Sequence, residues 1–287
     1  MGKVFFCEDE ANTIFAEVEN EFKKLKDGSV KVAIFSSANP HFLSYEKQIY
    51  KNALRFKNIK LEKFIYDIER PGCKDRIIDD ISLAGEKEEY SAIFIESYIQ
   101  KYLKNSGVVI DEYLPPSKDL EAIHPYNLGN IFIEEKQHLP PAVSAILRVM
   151  SRIKDDLKGM KVVIVNHSEI IGKPLAIALL QSKTNAPTVT VCHIATANLP
   201  DETRKGDFLI TAIGSPNFFT ADYVKEGAVV IDVGFTKIGS QIFGDVDLKS
   251  VINKVSWITP VPGGIGLLTL SYFFYNIICC LKKQGRM

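Results

Sequence analysis

Residues 258–269, ITPVPGGIGLLT, place three glycines and two prolines immediately ahead of an apolar run with helical spacing. Glycine admits positive φ and lets a ligand approach backbone amides, whereas proline fixes φ and removes a donor. At a helix start such an elbow suits an anionic or carbonyl-bearing ligand, because the first-turn N–H groups lack intrahelical partners. The same residues would equally make a hinge between two domains. A second stretch, NHSEIIGKPLAIALL (166–180), sets a polar turn between the strand-like KVVIVN and an apolar-periodic helix. Ser168 offers a hydroxyl and an amide to a pyrophosphate there, and Gly172 with Pro174 allows close approach and starts the helix. The turn is not GxGxxG, and a capped helix with no ligand explains it as well. His193, closing TVTVCH (188–193), stands where a cofactor contact would follow a second strand, or is simply a hydrogen-bonded strand-end histidine.

These residues need elements to hold them. A chain of 287 residues, 46% hydrophobic and 24% charged, has the profile of a soluble globular protein with one large or two ordinary domains. Basic and acidic residues both number 35, so the balance recommends neither nucleic acid nor an anionic membrane as partner. Cys7, Cys73, Cys192, Cys279 and Cys280 are scattered without CxxC spacing, which points to a reducing cytoplasm with no structural disulfide and no metal site. MGKVFFCEDE lacks the apolar core of a secretory signal, and Phe6 occupies the place where myristoylation wants Ser or Thr. The run from Leu267 to Leu281 is too short to span a bilayer and reads as a packed C-terminal helix.

Strand and helix patterns alternate along the chain. VKVAIF (30–35), a helical stretch over 45–56, KLEKFIYDI (60–68), a charged helix over 74–88 and SAIFIES (91–97) imply βαβ units and a mostly parallel sheet. A helix is predicted from Pro141 to Leu157, with Gly159 as its stop. Then KVVIVN (161–166), TVTVCH (188–193), DFLITAIG (207–214) and AVVIDVGF (228–235) describe a Rossmann-like doubly wound sheet. The predicted fold class is α/β with two domains: a substrate domain from 1–140 and 267–287, and a dinucleotide-binding domain from 141–266. The last helix returns to the first domain, and the elbow lies at the cleft.

Taken together, TPVPGGIG (259–266), VIDVGF (230–235), GDVD (244–247), TVTVCH, IVNHSEIIGKPLA (164–176) and IHPYNLGN (123–130) resemble the methylenetetrahydrofolate dehydrogenase/cyclohydrolase (FolD) family, in family order and spacing across both domains. The resemblance implies hydride transfer from 5,10-methylenetetrahydrofolate to NAD or NADP, then hydrolysis of the methenyl product, in a dimer joined through the Rossmann domains. It implies substrate contacts from Tyr45, Glu96, Glu121, Pro262, Gly263, Gly264 and Thr269. Cofactor contacts are implied for Asn166, His167, Ser168, Gly172, His193, Ile194, Gly214 and Phe235. Hydride transfer asks for a dry, preorganised site, whereas hydrolysis needs a positioned water and proton management, which the family resemblance assigns to a lysine one turn after a tyrosine, assisted by a glutamine.

Several residues depart from the family pattern. NPHFLSYEKQIYK (39–51) places Tyr45 on the family tyrosine, but Ile49 falls where the lysine belongs. Lys47 and Lys51 lie roughly 200° of helix rotation away, so either replaces it only through a local shift. Glu96 stands for the family glutamine and Glu121 for the aspartate that grips the pterin, one methylene farther out. LPPAVSAI (139–146) loses the middle of a family turn. Where NADP-using members carry arginines, this chain has His167 and Ile194, which favours NAD. The expectation is a dehydrogenase with little or no cyclohydrolase activity, in which Glu96, desolvated beside Ile49, has a raised pKa and handles protons itself. The alternatives are a catalytically silent homologue that binds nucleotide or folate as a regulatory subunit, and a Rossmann oxidoreductase of different substrate.

Overall fold

The computed structural model describes residues 1–25, 29–38, 43–133 and 138–287, except for the side chains of residues 43 and 44. Residues 39–42 of the tyrosine-bearing motif therefore lie outside the described residues. In chain order the elements are β1 (Lys3–Val4), α1 (Glu8–Phe22), β2 (Val30–Ser37), α2 (Leu43–Ala53), β3 (Ile59–Tyr66), α3 (Cys73–Glu86), β4 (Tyr90–Ile95) and α4 (Ser97–Asn105). There follow α5 (Pro125–Ile133), α6 (Pro141–Ile153), β5 (Lys161–Val165), α7 (Gly172–Leu180), β6 (Thr188–Cys192), α8 (Leu199–Thr203) and β7 (Phe208–Thr211). The chain ends through β8 (Val229–Asp232), β9 (Thr236–Ile238), β10 (Gln241–Phe243), α9 (Leu248–Val251), β11 (Trp257–Ile258) and α10 (Ile265–Lys283).

Two compact units result: residues 14–128 with 273–287, and residues 1–13 with 129–272. The first, the amino-terminal unit, holds a parallel sheet in the order β3-β2-β4. Phe35 of β2 stacks on Phe64 of β3 with ring centroids 4.8 Å apart. These rings close a core in which Ile77 and Ile81 of α3 and Ile99 and Leu103 of α4 are fully buried. Each such side chain contributes about 1.5–3 kcal/mol on leaving water. A second aromatic group, Phe15, Phe56 and Phe274, brings α10 into the same unit. By length and composition α10 could cross a membrane. Its polar residues Ser271 and Asn276 are nevertheless buried, and Asn276 Nδ2 donates to Leu120 O at 2.8 Å, which is how a packed core helix behaves.

The second, the Rossmann unit, holds a parallel sheet in the order β1-β11-β8-β7-β5-β6. Val162–Val165 and Phe208–Thr211 are continuous buried runs, as a parallel strand covered on both faces requires. The sheet's outer strand β1 lies outside the sequence expectation, because two residues carry no period. The division also differs from that expectation at both ends. Residues 1–13 and 129–140 belong with the Rossmann unit, and the last unit boundary falls within α10, at 272/273. Strand pairing explains the first change, since β1 joins β11, and Glu10 binds Arg148 and Arg152 of α6 at 2.7 Å each.

Candidate functional site

In the Rossmann unit, the turn after β5 is built by one side chain. Asn166 Oδ1 accepts from Ser168 N (2.9 Å), Ser168 Oγ (2.7 Å) and Gly172 N (2.9 Å), while its Nδ2 donates to Ala212 O (2.6 Å). Ser168 Oγ also accepts from Ile171 N at 3.2 Å. Ser168 thus directs its hydroxyl and amide protons into the turn rather than outward, which corrects the expectation that it offers both to a pyrophosphate. Gly172 is obligatory here, because a β-carbon would stand 1.9 Å from Asn166 O. The N-cap of α7, Ile171, supplies no side-chain bond, and the first-turn amides are met within the turn, Gly172 N by Asn166 Oδ1, Lys173 N by Ser168 O (3.0 Å) and Leu175 N by Ile171 O (2.9 Å), which corrects the expectation of amides open to an anion. His167 and His193 are both exposed, with ring centroids 5.2 Å apart, and Ile194 is exposed beside them.

A buried carboxylate pair gathers the neighbouring loops. Asp232, at the end of β8, accepts from Gly234 N (2.9 Å), Asp245 N (3.0 Å) and Val246 N (2.9 Å). Asp245 accepts from Ile213 N (2.5 Å) and Ser215 N (2.8 Å), and Thr236 Oγ1 donates to Gly214 O (3.1 Å). Gly214, at φ 69°, and the half-exposed Phe235 are thereby fixed. β-Carbons at Gly234 and Gly244 would fall 2.2 and 2.1 Å from these carboxylates, so the glycines make room for the acids. Burial pushes Asp232 up to about 7, against the three backbone donors. Burial likewise raises Asp245. In the sequence this D-x-G and G-D pattern serves only as a family mark, and its task as a loop organiser goes unread.

The elbow attaches to the same network. Asp232 N donates to Thr259 Oγ1 at 2.9 Å. Val261–Pro262 is cis, Gly263 has φ 102°, and a β-carbon on Gly264 would meet Pro260 O at 2.4 Å. Cys7 N donates to Gly263 O at 3.0 Å, holding the turn from the chain's other end. Thr269 lies half-buried one turn into α10. A cavity of about 400 Å³ opens beside the elbow, lined among others by Asn217, Asp232, Gly244, Thr259, Pro260 and Val261.

The amino-terminal unit carries the remaining predicted residues. Tyr45 and Ile49 share a face of α2, Tyr45 half-buried and Ile49 with no exposed surface. Lys47 and Lys51 are exposed on that helix. Glu121 is pushed up to about 8 by burial and then by the charge of Asp119, with a hydrogen bond from Gln100 opposing. Burial, and then the Glu121 charge, raises the Tyr45 phenol well above its ordinary value. A neutral Glu121 presents one donor and one acceptor, so it matches a ring edge of mixed polarity as well as one bearing two N–H groups. Its neighbour Ala122 adopts φ 55°, which costs roughly 1–2 kcal/mol in an L-residue. The loop is held there by Asp119, whose Oδ2 accepts from His124 N (2.9 Å) and Asn127 Nδ2 (2.7 Å).

Glu96 stands at the N-cap of α4 yet makes no side-chain cap bond. Its Oε2 accepts instead from Ser37 N at 2.6 Å, and Oε1 is buried without a partner, as is Ser37 Oγ. Burial raises its pKa, as expected from the sequence, but the charge that reinforces the rise is that of Glu46, while Lys63 opposes. Lys63 reaches from β3 to form an ion pair with Glu46 of α2. Sequence reading weighs only the lysines on the helix itself, because the pairing across strand and helix leaves no local signal. Gln100, Ser37 and Lys63 are the residues it overlooks. His138–Pro140 enters α6, which begins at Pro141. No group of three or more His, Cys, Asp or Glu among the described residues could hold a metal ion.

Comparison with known proteins agrees with this chemistry. The family model for the tetrahydrofolate dehydrogenase/cyclohydrolase NAD(P)-binding domain matches residues 140–285. The bifunctional protein FolD of a Nitratiruptor species is 33% identical over 275 residues, covering 96% of this chain and 94% of its own. Among solved structures, a 5,10-methylenetetrahydrofolate dehydrogenase from the silkworm Bombyx mori superposes with a TM-score of 0.88 at 25% identity over 100% of both chains. The bifunctional enzyme FolD of Campylobacter jejuni gives 0.86 at 28% identity, again over 100% of both chains.

Proposed function

The chain belongs to the tetrahydrofolate dehydrogenase/cyclohydrolase family, and on that premise we propose that it works as the dehydrogenase with its hydrolytic half lost. It is an NAD(P)-dependent 5,10-methylenetetrahydrofolate dehydrogenase of one-carbon metabolism: a C–H bond of the methylene bridge breaks, its electron pair leaves as hydride, and the product is 5,10-methenyltetrahydrofolate. A bound nicotinamide supplies the hydride acceptor. The residues fit such a cofactor, since the strand ends of β5 and β6 present the exposed, neighbouring His167 and His193 and Gly214 has open space where a β-carbon would stand. Asn166 holds the turn after β5, Asp245 holds the loop of Gly214, and Phe235 beside it is half-exposed. On the folate side, Tyr45 and Glu121 offer polar groups from a poorly hydrated setting, and the elbow residues Pro262, Gly263 and Gly264 offer a rigid backbone. Hydride transfer needs orientation and dryness more than acid–base help, and rigid groups of this kind provide it.

One observation carries the loss of hydrolysis: Ile49 is wholly buried on the Tyr45 face of α2, while Lys47 and Lys51 stand exposed. No helix lysine therefore shares the tyrosine's face, which weighs against the local-shift alternative. Lys63, whose ammonium reaches α2 from β3, is engaged by Glu46. NAD is the preferred dinucleotide in this reading, because neither His167 nor Ile194 supplies the permanent charge of an arginine. The protein acts in the cytoplasm as a homodimer through its Rossmann unit, whose edge strand β6 exposes Val191 next to Ile194.

The test is a spectrophotometric assay with the pure protein. With 5,10-methylenetetrahydrofolate and NAD, the absorbance of methenyltetrahydrofolate should grow. Added methenyltetrahydrofolate should decay no faster than in buffer. Decay above the buffer rate would refute the lost hydrolysis. Absence of oxidation with either dinucleotide, alongside measurable binding of folate, would turn the reading to the silent homologue.

A further inference from the structure

β11 is a strand of two residues, Trp257–Ile258, and its ladder with β8 pairs Ile258 with Val230. Thr259 N still donates to Val230 O at 3.1 Å, but the next residue is Pro260, which has no N–H to carry the ladder on. A side chain takes over at that point. Asp232 N, at the end of β8, donates to Thr259 Oγ1 at 2.9 Å, and Thr259 Oγ1 donates to Asp232 O at 3.4 Å. One hydroxyl thus ties the start of the elbow to the peptide groups on both sides of Asp232. Thr259 is 1% exposed and Asp232 3%, so water is no alternative partner for either. Along this flank the elbow is not held by close packing, because the cavity of about 400 Å³ lies against Thr259, Pro260 and Val261. The carboxylate of the same Asp232 accepts from Gly234 N, Asp245 N and Val246 N, and Asp245 accepts from Ile213 N and Ser215 N. The elbow and the loops of Gly214 and Phe235 therefore hang on one residue, all within the Rossmann unit.

Resting on the dehydrogenase reading above, we propose that Thr259 is a positioning residue for hydride transfer: through Asp232, its hydroxyl fixes where the folate-bearing elbow stands relative to the dinucleotide-bearing loops of Gly214 and Phe235. Being buried, Thr259 acts through the peptide groups of Asp232 and touches neither ligand. Its β-branch restricts χ1, which keeps the hydroxyl on that one peptide pair. Hydride passes over a short distance between two carbons, and a misplacement of about 1 Å can cost about 100-fold in rate. Binding is spread over many contacts on each ligand, so it tolerates the same shift. The loss of this hydroxyl is thus read in the chemical step and not in affinity. A threonine that served only stability would behave otherwise: its loss would lower the folded fraction and leave the rate of each folded molecule unchanged.

Single-turnover oxidation of 5,10-methylenetetrahydrofolate by NAD, with protium or deuterium on the methylene bridge, tests the role in the native protein, Thr259→Val and Thr259→Ser. Thr259→Val keeps the shape and the β-branch and lacks the hydroxyl. Its hydride-transfer rate per folded molecule should fall about 10- to 100-fold, with a deuterium isotope effect marking hydride transfer as the slowed step. The steady-state KM for the folate and the calorimetric Kd for NAD should stay within about threefold, since uniform binding is untouched. Thr259→Ser keeps the hydroxyl and should hold the rate within about threefold of the native protein. A Thr259→Val protein with the native hydride rate, or with its loss in KM alone, overturns the positioning role. So does a slow Thr259→Ser protein, even where Thr259→Val fails to fold, because the hydroxyl is then not the group that matters. Failure of the native protein to oxidise the folate with either dinucleotide overturns the dehydrogenase reading itself, and the role of Thr259 falls with it.

Discussion

On the proposed reading Ile49 marks the loss of hydrolysis, and its burial says what placing a lysine there would involve. The side chain has no exposed surface, so an ammonium in its place is desolvated unless it finds a counter-charge. The same unit contains a buried acid with one oxygen unpartnered, Glu96. Ile49→Lys is expected to lower stability by about 1–3 kcal/mol, within the common range for point substitutions, and to bring methenyltetrahydrofolate hydrolysis above the buffer rate. Thermal melting and the decay of methenyltetrahydrofolate read the two effects. A folded, dinucleotide-binding Ile49→Lys protein without hydrolysis would show that the lysine was not the decisive loss. At this scale the sequence is informative where chemistry is written in residue type. The shared helix face of Tyr45 and Ile49 follows from their spacing, and the raised pKa of Glu96 follows from its expected desolvation. Ser37 and Lys63 escape, because their partners lie 59 and 17 residues away along the chain, and no local pattern announces such pairs.

The turn after β5 is the element whose failure should be most complete. One asparagine satisfies three donors and one acceptor, and one glycine clears the space for it. Gly172→Ala brings a methyl carbon to 1.9 Å from Asn166 O, which only backbone movement relieves. It should cost about 1–3 kcal/mol or more as overpacking and abolish measurable NAD binding by calorimetry. Asn166→Ala loses four hydrogen bonds, together about 2–6 kcal/mol at the usual net value, and should weaken NAD similarly. Normal NAD affinity in either protein would mean that the dinucleotide does not use this turn. The periodic elements themselves are legible in the sequence: buried runs such as Val162–Val165 mark the strands, and Pro141 marks the start of α6. Two-residue strands β1 and β11 are not, since they exist only through each other and β8. That is also why residues 1–13 fall with the Rossmann unit rather than with the segment that follows them.

Across the whole molecule, both units hide carboxyl groups whose pKa burial raises: Glu96, Asp119 and Glu121 in one, Asp232 and Asp245 in the other. Burial takes Glu121 from 4.5 to about 8 and Asp232 from 3.8 to about 7. Between the ordinary and the raised value the folded chain binds more protons than the unfolded one, so stability must fall as pH rises through that window. The sign is opposite to that of a protein held by salt-bridged carboxylates. Balanced formal charge, 35 basic against 35 acidic residues, leaves little overall repulsion to mask it. Melting should therefore occur at a higher temperature at pH 5.5 than at pH 8. Even about 1 kcal/mol surviving solvent screening corresponds to about 2–4 °C in a domain of this size. Glu121→Gln keeps a donor and an acceptor but cannot ionise, so it should flatten the slope and melt above the native protein at pH 8. A melting temperature that instead rises from pH 5.5 to pH 8 would mean these acids, Glu121 among them, are charged in the folded chain.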